Sequence, residues 1–307
     1  MSFLYVASRA KNGGIYKYAF DGERYNEVSF ASMDCPMYMI VEKNHMHVLL
    51  REPFFNKESG YVRYRITDSG DLQSPSPILS TKGEIACHLH IKNDNAYCVN
   101  YTSGSIIKMP DHLVVHKGDR QSHTHFVGST PDGKYLCVTD LGLDRIFLYD
   151  DELNVINRVA MPMGCGVRHL VFLENNYVFS ANELDATVSA LRYEDGNMRL
   201  IDTVSCKSPK ANAAAAPSAI RVRNHRIYVA VRGDDTICTL SFEQEKLKLQ
   251  DRFCCQGKTP RDFCFDENRL ICCNQDSNTV TVFQEVNGAF KYIQSIEMEC
   301  PICTLTN

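Results

Sequence analysis

Polar and ionisable side chains end a series of apolar, strand-like segments, and they are the residues of this sequence that could do chemistry. Seven of them follow runs rich in β-branched and aromatic residues: Arg9, Glu52, Tyr101, Asp140, Glu183, Arg232 and Gln275. A second group stands where other such segments begin: His88, His123, His125, Arg168 and Arg261. Carboxylates and histidines move protons, and arginines bind carboxylates or phosphates as planar forks. The two groups therefore indicate acid–base chemistry on a small anion, if the fold brings them together.

Two His-x-His pairs, His88-Leu89-His90 and His123-Thr124-His125, raise the question of a metal. Alternation along a strand points both members of a pair to one side, so two pairs could bind a transition metal. No carboxylate cluster typical of a calcium site accompanies them. We predict hydrogen-bonding or acid–base histidines and no required metal or other cofactor. Five further histidines are expected on the surface or in packing: His45, His47, His112, His116 and His225.

The elements that must position these residues belong to a sequence repeat. One Ile or Val anchor recurs in a second strand-like run, at residues 15, 62, 106, 146, 188, 237 and 280. The spacing averages about 44 residues, so seven copies fill the chain. The clearest copy predicts strands over 168–173, 177–183, 187–193 and 198–206, joined by short turns rich in Asn, Asp and Gly.

Seven antiparallel four-stranded meanders of this length predict an all-β fold, a single seven-bladed β-propeller over residues 1–307. The C-terminal run, residues 300–307, resembles the first strand of a repeat, whereas the chain begins with a second strand at Phe3–Ala7. We therefore expect the C-terminal strand to complete the N-terminal blade, which removes two exposed sheet edges. Two insertions, Glu52–Ser59 and Ala211–Ala216, are expected to be loops.

The antiparallel order predicts where the polar residues meet. If the first strand of a blade runs down, the second runs up, so the end of the second and the start of the first lie on one face. The first strands line the central channel of a propeller. We therefore expect the polar residues to surround the mouth of that channel, where propellers usually bind ligands.

Composition narrows the class of protein. The net charge of −4 opposes nucleic acid as the main partner. No apolar run approaches the roughly 20 residues that span a bilayer, and the N-terminus shows no secretory signal. The fourteen cysteines lie mostly in apolar strand-like runs, which indicates buried, reduced thiols. We expect a soluble, cytoplasmic protein with neither a nucleic-acid nor a membrane partner, whose oligomeric state the sequence leaves open.

At the polar residues the sequence resembles the seven-bladed propeller lactonase family, which includes bacterial 6-phosphogluconolactonases and fungal carboxy-cis,cis-muconate cyclases. The resemblance covers residues 85–307 well and the first two blades weakly. The matching stretches are Asn100–Ser105, His123–His125, Ser129–Tyr135, Asp140–Arg145, Gly166–Leu170, Asn182–Val188, Pro217–Ile220, Arg232–Ile237, Pro260–Phe263 and Asn274–Ser277.

The resemblance implies a cyclic-ester active site in the central cleft. The family's proposed catalytic His, Arg and Glu fall on His125, Arg168 and Glu183, with a further arginine on Arg232 and Arg261 as its rival. We expect His88, Tyr101, His123, Asp140, Arg261 and Gln275 to bind substrate.

The expected reaction is hydrolysis of a small anionic sugar lactone, with 6-phosphogluconolactone first, which belongs to the pentose phosphate pathway of carbohydrate metabolism. Either Glu183 or His125 could be the base, and Arg168 could stabilise the oxyanion. Two alternatives stay open from the sequence. One is a muconate-type lactonising cyclase, and the other is a non-catalytic propeller that binds a ligand or a protein.

Overall fold

The computed structural model describes residues 2–209 and 215–307. Over these residues the chain is all-β, with 29 strands and, as its single helical element, a 3₁₀ turn at Gln275–Ser277. The strands form seven antiparallel sheets that follow one another along the chain. The predicted fold class, a seven-bladed β-propeller with four antiparallel strands per blade, is confirmed. The chain divides into two compact units. One unit combines Met1–Ala86 with Cys254–Asn307, and the other is Cys87–Phe253. That residues 1–307 form a single domain stays a prediction.

The unit Cys87–Phe253 contains four blades, numbered three to six. Blade three has β9 (Ala86–Lys92), β10 (Asn95–Asn100), β11 (Ser105–Lys108) and β12 (His112–Val115). Blade four has β13 (Thr124–Ser129), β14 (Leu136–Asp140), β15 (Arg145–Tyr149) and β16 (Val155–Ala160). Blade five has β17 (Val167–Leu173), β18 (Tyr177–Asn182), β19 (Thr187–Glu194) and β20 (Asn197–Ser205). Blade six has β21 (Ala216–Arg223), β22 (Arg226–Arg232), β23 (Thr236–Glu243) and β24 (Lys246–Cys254).

The other unit contains blades one, two and seven. Blade one has β1 (Leu4–Ser8), β2 (Gly14–Phe20) and β3 (Tyr25–Ser32), with β29 (Pro301–Thr306) as its fourth strand. Blade two has β4 (Pro36–Glu42), β5 (His45–Leu50), β6 (Gly60–Ile66) and β7 (Leu72–Gln73), and β6 also pairs with the short β8 (Leu79–Ser80). Blade seven has β25 (Pro260–Asp266), β26 (Arg269–Asn274), β27 (Thr279–Val286) and β28 (Ala289–Glu297).

The C-terminal strand completes the N-terminal blade, as the sequence predicts. In the antiparallel ladder of β29 and β1, Thr306 lies opposite Leu4 and Cys303 lies opposite Ala7. Ile302 and Cys303 are buried. The pairing satisfies backbone groups that would otherwise form an exposed sheet edge.

The burial pattern of a blade explains why these sequences form strands. In blade four, nearly all residues of β13, β14 and β15 are buried, whereas β16 is mostly exposed. Blades four and five share one apolar cluster that includes Phe126, Cys137, Ile146, Leu170 and Val178. β-branched and aromatic side chains favour such pleated, packed surfaces, so burial of sheet faces holds the blades together.

Loops and turns follow the predictions where the structure describes them. The predicted strands of blade five match the observed ones to within a residue at each end, and its first hairpin turns at Asn175 and Asn176, both in the left-handed region. The insertion Glu52–Ser59 lies between β5 and β6 and contains no strand. Residues 211–214 of the Ala-rich insertion lie outside the described residues. Within the part of the chain that is described, no helix has the length and apolar character needed to cross a membrane.

Candidate active site

The carboxylate of Glu183 is shared by two arginines in the unit Cys87–Phe253. Its Oε2 lies 3.0 Å from Nε of Arg168 and 2.7 Å from Nη2 of Arg232. Arg168 is 3% exposed, and the Glu183 and Arg232 side chains are one-fifth exposed or less. We call Arg168, Glu183 and Arg232 the arginine cluster. Two guanidinium groups and one carboxylate give the arginine cluster a net charge of +1, so it attracts an anion. The structure therefore brings together three of the four predicted catalytic residues.

Both arginines are fixed by backbone carbonyl groups. Arg168 donates from Nη1 to the carbonyl oxygen of Ser218 at 2.6 Å, and Arg232 donates from Nε to that of Ala216 at 3.2 Å. The Thr139 hydroxyl in turn donates to the carbonyl oxygen of Arg168 at 2.7 Å. Strands from blades four, five and six thus hold the guanidinium groups before any substrate arrives, which is the preorganisation that electrostatic catalysis requires.

In blades four and five, a β-bulge lies at the start of the first strand and carries a predicted catalytic residue. In β17, Val167 lies opposite Asn182 and His169 opposite Ala181, so Arg168 is the extra residue. In β13, Thr124 lies opposite Asp140 and Phe126 opposite Thr139, so His125 is the extra residue. Bulges re-aim side chains and occur often beside active sites.

Tyr101, His123 and His125 form an aromatic wall in the same unit. The rings of Tyr101 and His123 stack with centroids 4.5 Å apart, and the ring of His125 meets Tyr101 edge-on at 5.6 Å. Burial, and then the negative charge of Glu183, raise the pKa of Tyr101, while Arg168 and Arg232 act against that rise. Tyr101 therefore stays a neutral phenol. The charges of Glu183, Arg168 and Arg232 all act on it, so the aromatic wall lies within electrostatic reach of the arginine cluster.

Two further buried histidines, His88 and His169, lie next to this wall. His169 meets His125 with ring centroids 5.1 Å apart and His88 at 5.2 Å, both in edge contacts. Burial, followed by the charge of Arg221, holds the pKa of His88 well below its usual value. His169 was missed by the sequence reasoning, although Arg168 and His169 are consecutive polar residues that break the alternation of a half-buried strand.

Asp140, a predicted substrate-binding residue, is fully buried. Its Oδ2 lies 2.7 Å from Nδ1 of His116 and accepts from the Ser122 hydroxyl at 2.5 Å. Its Oδ1 accepts from the backbone N–H groups of His123 at 2.9 Å and Leu143 at 3.1 Å. The geometry makes Asp140 a support for the loop that carries His123, with its oxygens engaged by the protein.

His116 shows the same internal role. It is buried, and its Nε2 lies 2.8 Å from the hydroxyl of Tyr149. Of the two expected roles, packing or surface, the structure supports packing for His116. Of the other histidines outside the site, His47 is also buried, with Nδ1 2.7 Å from the Tyr61 hydroxyl, while His112 and His225 are exposed.

Arg261 and Gln275 belong to the other compact unit. Arg261 is the extra residue of a bulge in β25, between Pro260 and Asp262. Gln275 begins the 3₁₀ turn and donates from Nε2 to Asp276 at 2.9 Å. Their predicted roles in substrate binding stay predictions.

The members of the two His-x-His pairs lie in different surroundings. His90 lies with Nε2 2.7 Å from the Ser129 hydroxyl, whereas His88 packs against His169 and Phe126. His123 lies with Nδ1 3.1 Å from the carbonyl oxygen of Tyr101. Among residues 2–209 and 215–307, no three His, Cys, Asp or Glu side chains are grouped as metal ligands. That no metal is required stays a prediction.

Known proteins with the same fold and related sequence include lactonases. A 6-phosphogluconolactonase of Bacillus subtilis is 28% identical over 338 aligned positions, which cover 97% of this chain and 96% of the relative. A periplasmic gluconolactonase of Pseudomonas aeruginosa has a TM-score of 0.88 at 22% identity, covering 100% of this chain and 99% of that one. A protein from Lactobacillus plantarum has a TM-score of 0.89 at 23% identity, covering 100% and 99%. These two structures show the fold alone.

The family model described as "Lactonase, 7-bladed beta-propeller" matches residues 3–305, almost the whole chain. The match includes every residue of the arginine cluster and of the aromatic wall. The chain therefore belongs to the lactonase family of seven-bladed β-propellers.

Proposed function

We propose that this protein hydrolyses a sugar lactone, with 6-phosphogluconolactone as its first candidate substrate and 6-phosphogluconate as the product. The observation that carries the proposal is the carboxylate of Glu183 held between Arg168 and Arg232, in the same compact unit as the buried His125. Family membership and the name of the Bacillus subtilis relative support the reaction class. Such a reaction belongs to carbohydrate metabolism, in the pentose phosphate pathway.

The proposed mechanism assigns the base to His125. Glu183 Oε2 already forms ion pairs with two guanidinium groups, those of Arg168 and Arg232. His125 lies next to Tyr101 and His169, with its ring edge-on to both. A water molecule attacks the lactone carbonyl while His125 accepts its proton, and Arg168 stabilises the oxyanion that forms. Glu183 then has a different task, which is to orient both guanidinium groups.

The positive charge of the cluster supports an anionic substrate. A phosphate dianion near two guanidinium groups forms charge-assisted hydrogen bonds that a neutral lactone does not. Arg232, at 17% side-chain exposure, is more open than Arg168 at 3%. We assign phosphate or carboxylate binding to Arg232 and oxyanion stabilisation to Arg168.

The test is a substrate panel on the purified protein: 6-phosphogluconolactone, unphosphorylated gluconolactone and a carboxymuconate, each corrected for spontaneous reaction. We expect the highest kcat/KM on the phosphorylated lactone. Turnover of the muconate alone would replace the proposal with a lactonising cyclase. No turnover of any, with ligand binding unchanged in an Arg168→Ala variant, would favour a binding propeller.

We also propose a cytoplasmic location. All fourteen cysteines are free thiols in the structure, eleven of them buried, which suits a reducing compartment. Expression with a fluorescent fusion, followed by fractionation, tests this. Recovery in an exported fraction would contradict it, and the periplasmic gluconolactonase named above makes that outcome a real alternative.

A further inference from the structure

His169 carries a buried polar atom that no described residue satisfies. The residue is 6% exposed, and its Nε2 has no hydrogen-bond partner among residues 2–209 and 215–307. A buried donor or acceptor left without a partner is destabilising, and native proteins keep few of them. An unpartnered nitrogen at this depth leaves one hydrogen bond for a water or substrate atom to complete.

The neighbours of His169 belong to the candidate active site. Its ring centroid is 5.1 Å from that of His125, the proposed base, and 5.9 Å from that of Phe126. Arg168, the extra residue of the bulge, and His169 are both buried, as are Val167 and Leu170 on either side of them. The guanidinium of Arg168 reaches Glu183, while the imidazole of His169 reaches His125.

His169 is neutral at ordinary pH. Burial, followed by the positive charge of Arg168, holds the pKa of its imidazole well below the usual value, and His125, His88 and Arg221 act in the same direction. A neutral imidazole offers one N–H donor and one acceptor nitrogen. It can orient a water molecule by a hydrogen bond without competing for the proton.

We propose that His169 is a further catalytic residue, whose Nε2 hydrogen-bonds the hydrolytic water and orients it between His125 and the lactone carbonyl. The inference rests on the proposed lactone hydrolysis and adds a residue to it. Tyr101 and His88 complete its surroundings by packing against His125 and His169.

The step balances without a further reagent. The water oxygen forms a bond to the carbonyl carbon, the water proton passes to His125, and the carbonyl π pair moves to the oxygen beside Arg168. On collapse the ring C–O bond breaks, and the proton on His125 passes to the released ring oxygen. The product is the open hydroxy acid. His169 keeps its proton throughout and holds the water in line.

Two variants of His169 separate catalysis from packing. His169→Phe keeps a ring against His88, His125 and Phe126 but removes the hydrogen bond. We expect kcat to fall about 10²-fold, the usual effect of removing one positioned hydrogen bond from a transition state, with KM within about 3-fold of wild type. His169→Gln, whose amide can reach the same point, should recover part of kcat. The urea midpoint of His169→Phe should equal or exceed that of wild type, because an unsatisfied polar atom is gone.

His90→Phe is the matched control. His90 lies in the same unit, but its Nε2 is already 2.7 Å from the Ser129 hydroxyl. This variant should lose stability and keep kcat, the opposite of His169→Phe. Because burial and Arg168 hold the pKa of His169 well below its usual value, the shape of the pH–rate profile near neutral pH should be the same in wild type and His169→Phe.

The outcomes distinguish the two proposals. If wild type hydrolyses a lactone and His169→Phe retains kcat within about 3-fold, the role of His169 is overturned and lactone hydrolysis stands. A loss of kcat that comes with an equal loss of stability also overturns it, since packing then explains the effect. If wild type hydrolyses none of the lactones in the panel, both proposals fail together.

Discussion

Arg168 Nε and Glu183 Oε2 lie 3.0 Å apart because a β-bulge and a strand end meet on neighbouring strands of one sheet. Arg168 is the extra residue of the bulge in β17, and Glu183 follows the last residue of β18. The backbone N–H of Glu183 also donates to the carbonyl oxygen of Gly166 at 2.8 Å, which ties the same two segments together. The pair is therefore positioned by backbone geometry as much as by its own charges.

Glu183→Gln tests whether Glu183 orients the arginines or acts as the base. The variant removes the negative charge that Arg168 and Arg232 share, so we expect kcat to fall about 10- to 100-fold, the value of one or two hydrogen bonds to a charged group. KM for a phosphorylated lactone should not rise, because the local charge becomes more positive. Steady-state kinetics measures both, with Glu183→Asp as the charge-retaining control. A fall of 10³-fold or more together with an altered pH–rate profile would make Glu183 the base instead.

Arg232→Ala should act mainly on substrate binding. Arg232 is the more open of the two arginines, and its loss removes charge-assisted hydrogen bonds to an anionic group. We expect KM for the phosphorylated lactone to rise about 10-fold or more, and KM for unphosphorylated gluconolactone to change much less. Arg232→Lys keeps the charge without the planar fork and should give an intermediate KM. Equal effects on both substrates would contradict the assignment.

The strands and the arginine cluster could be predicted because they follow from periodic patterns. The four strands of blade five were placed to within a residue at each end, since alternation and Asn-rich turns are local signals. Antiparallel order puts strand ends and strand starts of one blade on one face, which predicts that Arg168 and Glu183 meet. The arrangement of blades in a propeller then predicts that Arg232 of the next blade lies near them.

The bulge and the buried network could not be predicted in the same way. One inserted residue shifts the register, and its sequence signal is only a pair of consecutive polar residues such as Arg168-His169. Asp140 ends its strand in the same way as Asn182 precedes Glu183, at the end of a second strand. Its burial depends on His116 and Ser122, which lie between blade three and blade four. Only three-dimensional packing separates a residue that faces substrate from one that supports the loop behind it.

Asp140→Asn should destabilise the protein in a pH-dependent way. Burial acts to raise the pKa of Asp140, but hydrogen bonds from His116, Ser122 and the His123 N–H hold it below the ordinary value of 3.8. A carboxyl with a lower pKa in the folded state stabilises that state fully above its unfolded pKa, and the stabilisation is lost as the pH falls through the folded pKa. We expect a loss of about 1–3 kcal/mol at pH 7, because the amide NH2 that replaces one carboxylate oxygen cannot accept hydrogen bonds from these donors.

Urea unfolding of wild type and Asp140→Asn between pH 7 and pH 3 measures this effect. The gap between their free energies of unfolding should stay constant down to about pH 4 and narrow below it. Asp276→Asn, a change at an exposed carboxylate, is the control and should leave stability nearly unchanged. A gap that widens toward acid pH would contradict the lowered pKa of Asp140 in the folded state.

Deletion of residues 300–307 should sharply lower stability. The deletion removes β29, exposes the edge of β1 and uncovers side chains that Ile302 and Cys303 bury. Thr304 is lost with its contacts to Asp262 and to the carbonyl oxygen of Tyr5. We expect the Tm to fall by roughly 10 °C or more, since each kcal/mol is worth about 2–4 °C in a domain of this size class. A Tm within about a degree of the full-length protein would refute the structural role of this pairing.

Thiol reactivity should follow burial in the native state and reach fourteen after unfolding. Cys254 is exposed, Cys35 and Cys300 are partly buried, and the other eleven cysteines are buried. Burial raises the pKa of several of these thiols, Cys98 and Cys137 among them, which keeps the reactive thiolate form rare. With a disulfide reagent under native, non-reducing conditions we expect one fast thiol and at most three in total, and fourteen in denaturant. A Cys254→Ser variant should lose the fast phase. Fewer than fourteen thiols in freshly prepared, denatured protein would show that disulfides form, and it would remove the support that the free cysteines give to a cytoplasmic location.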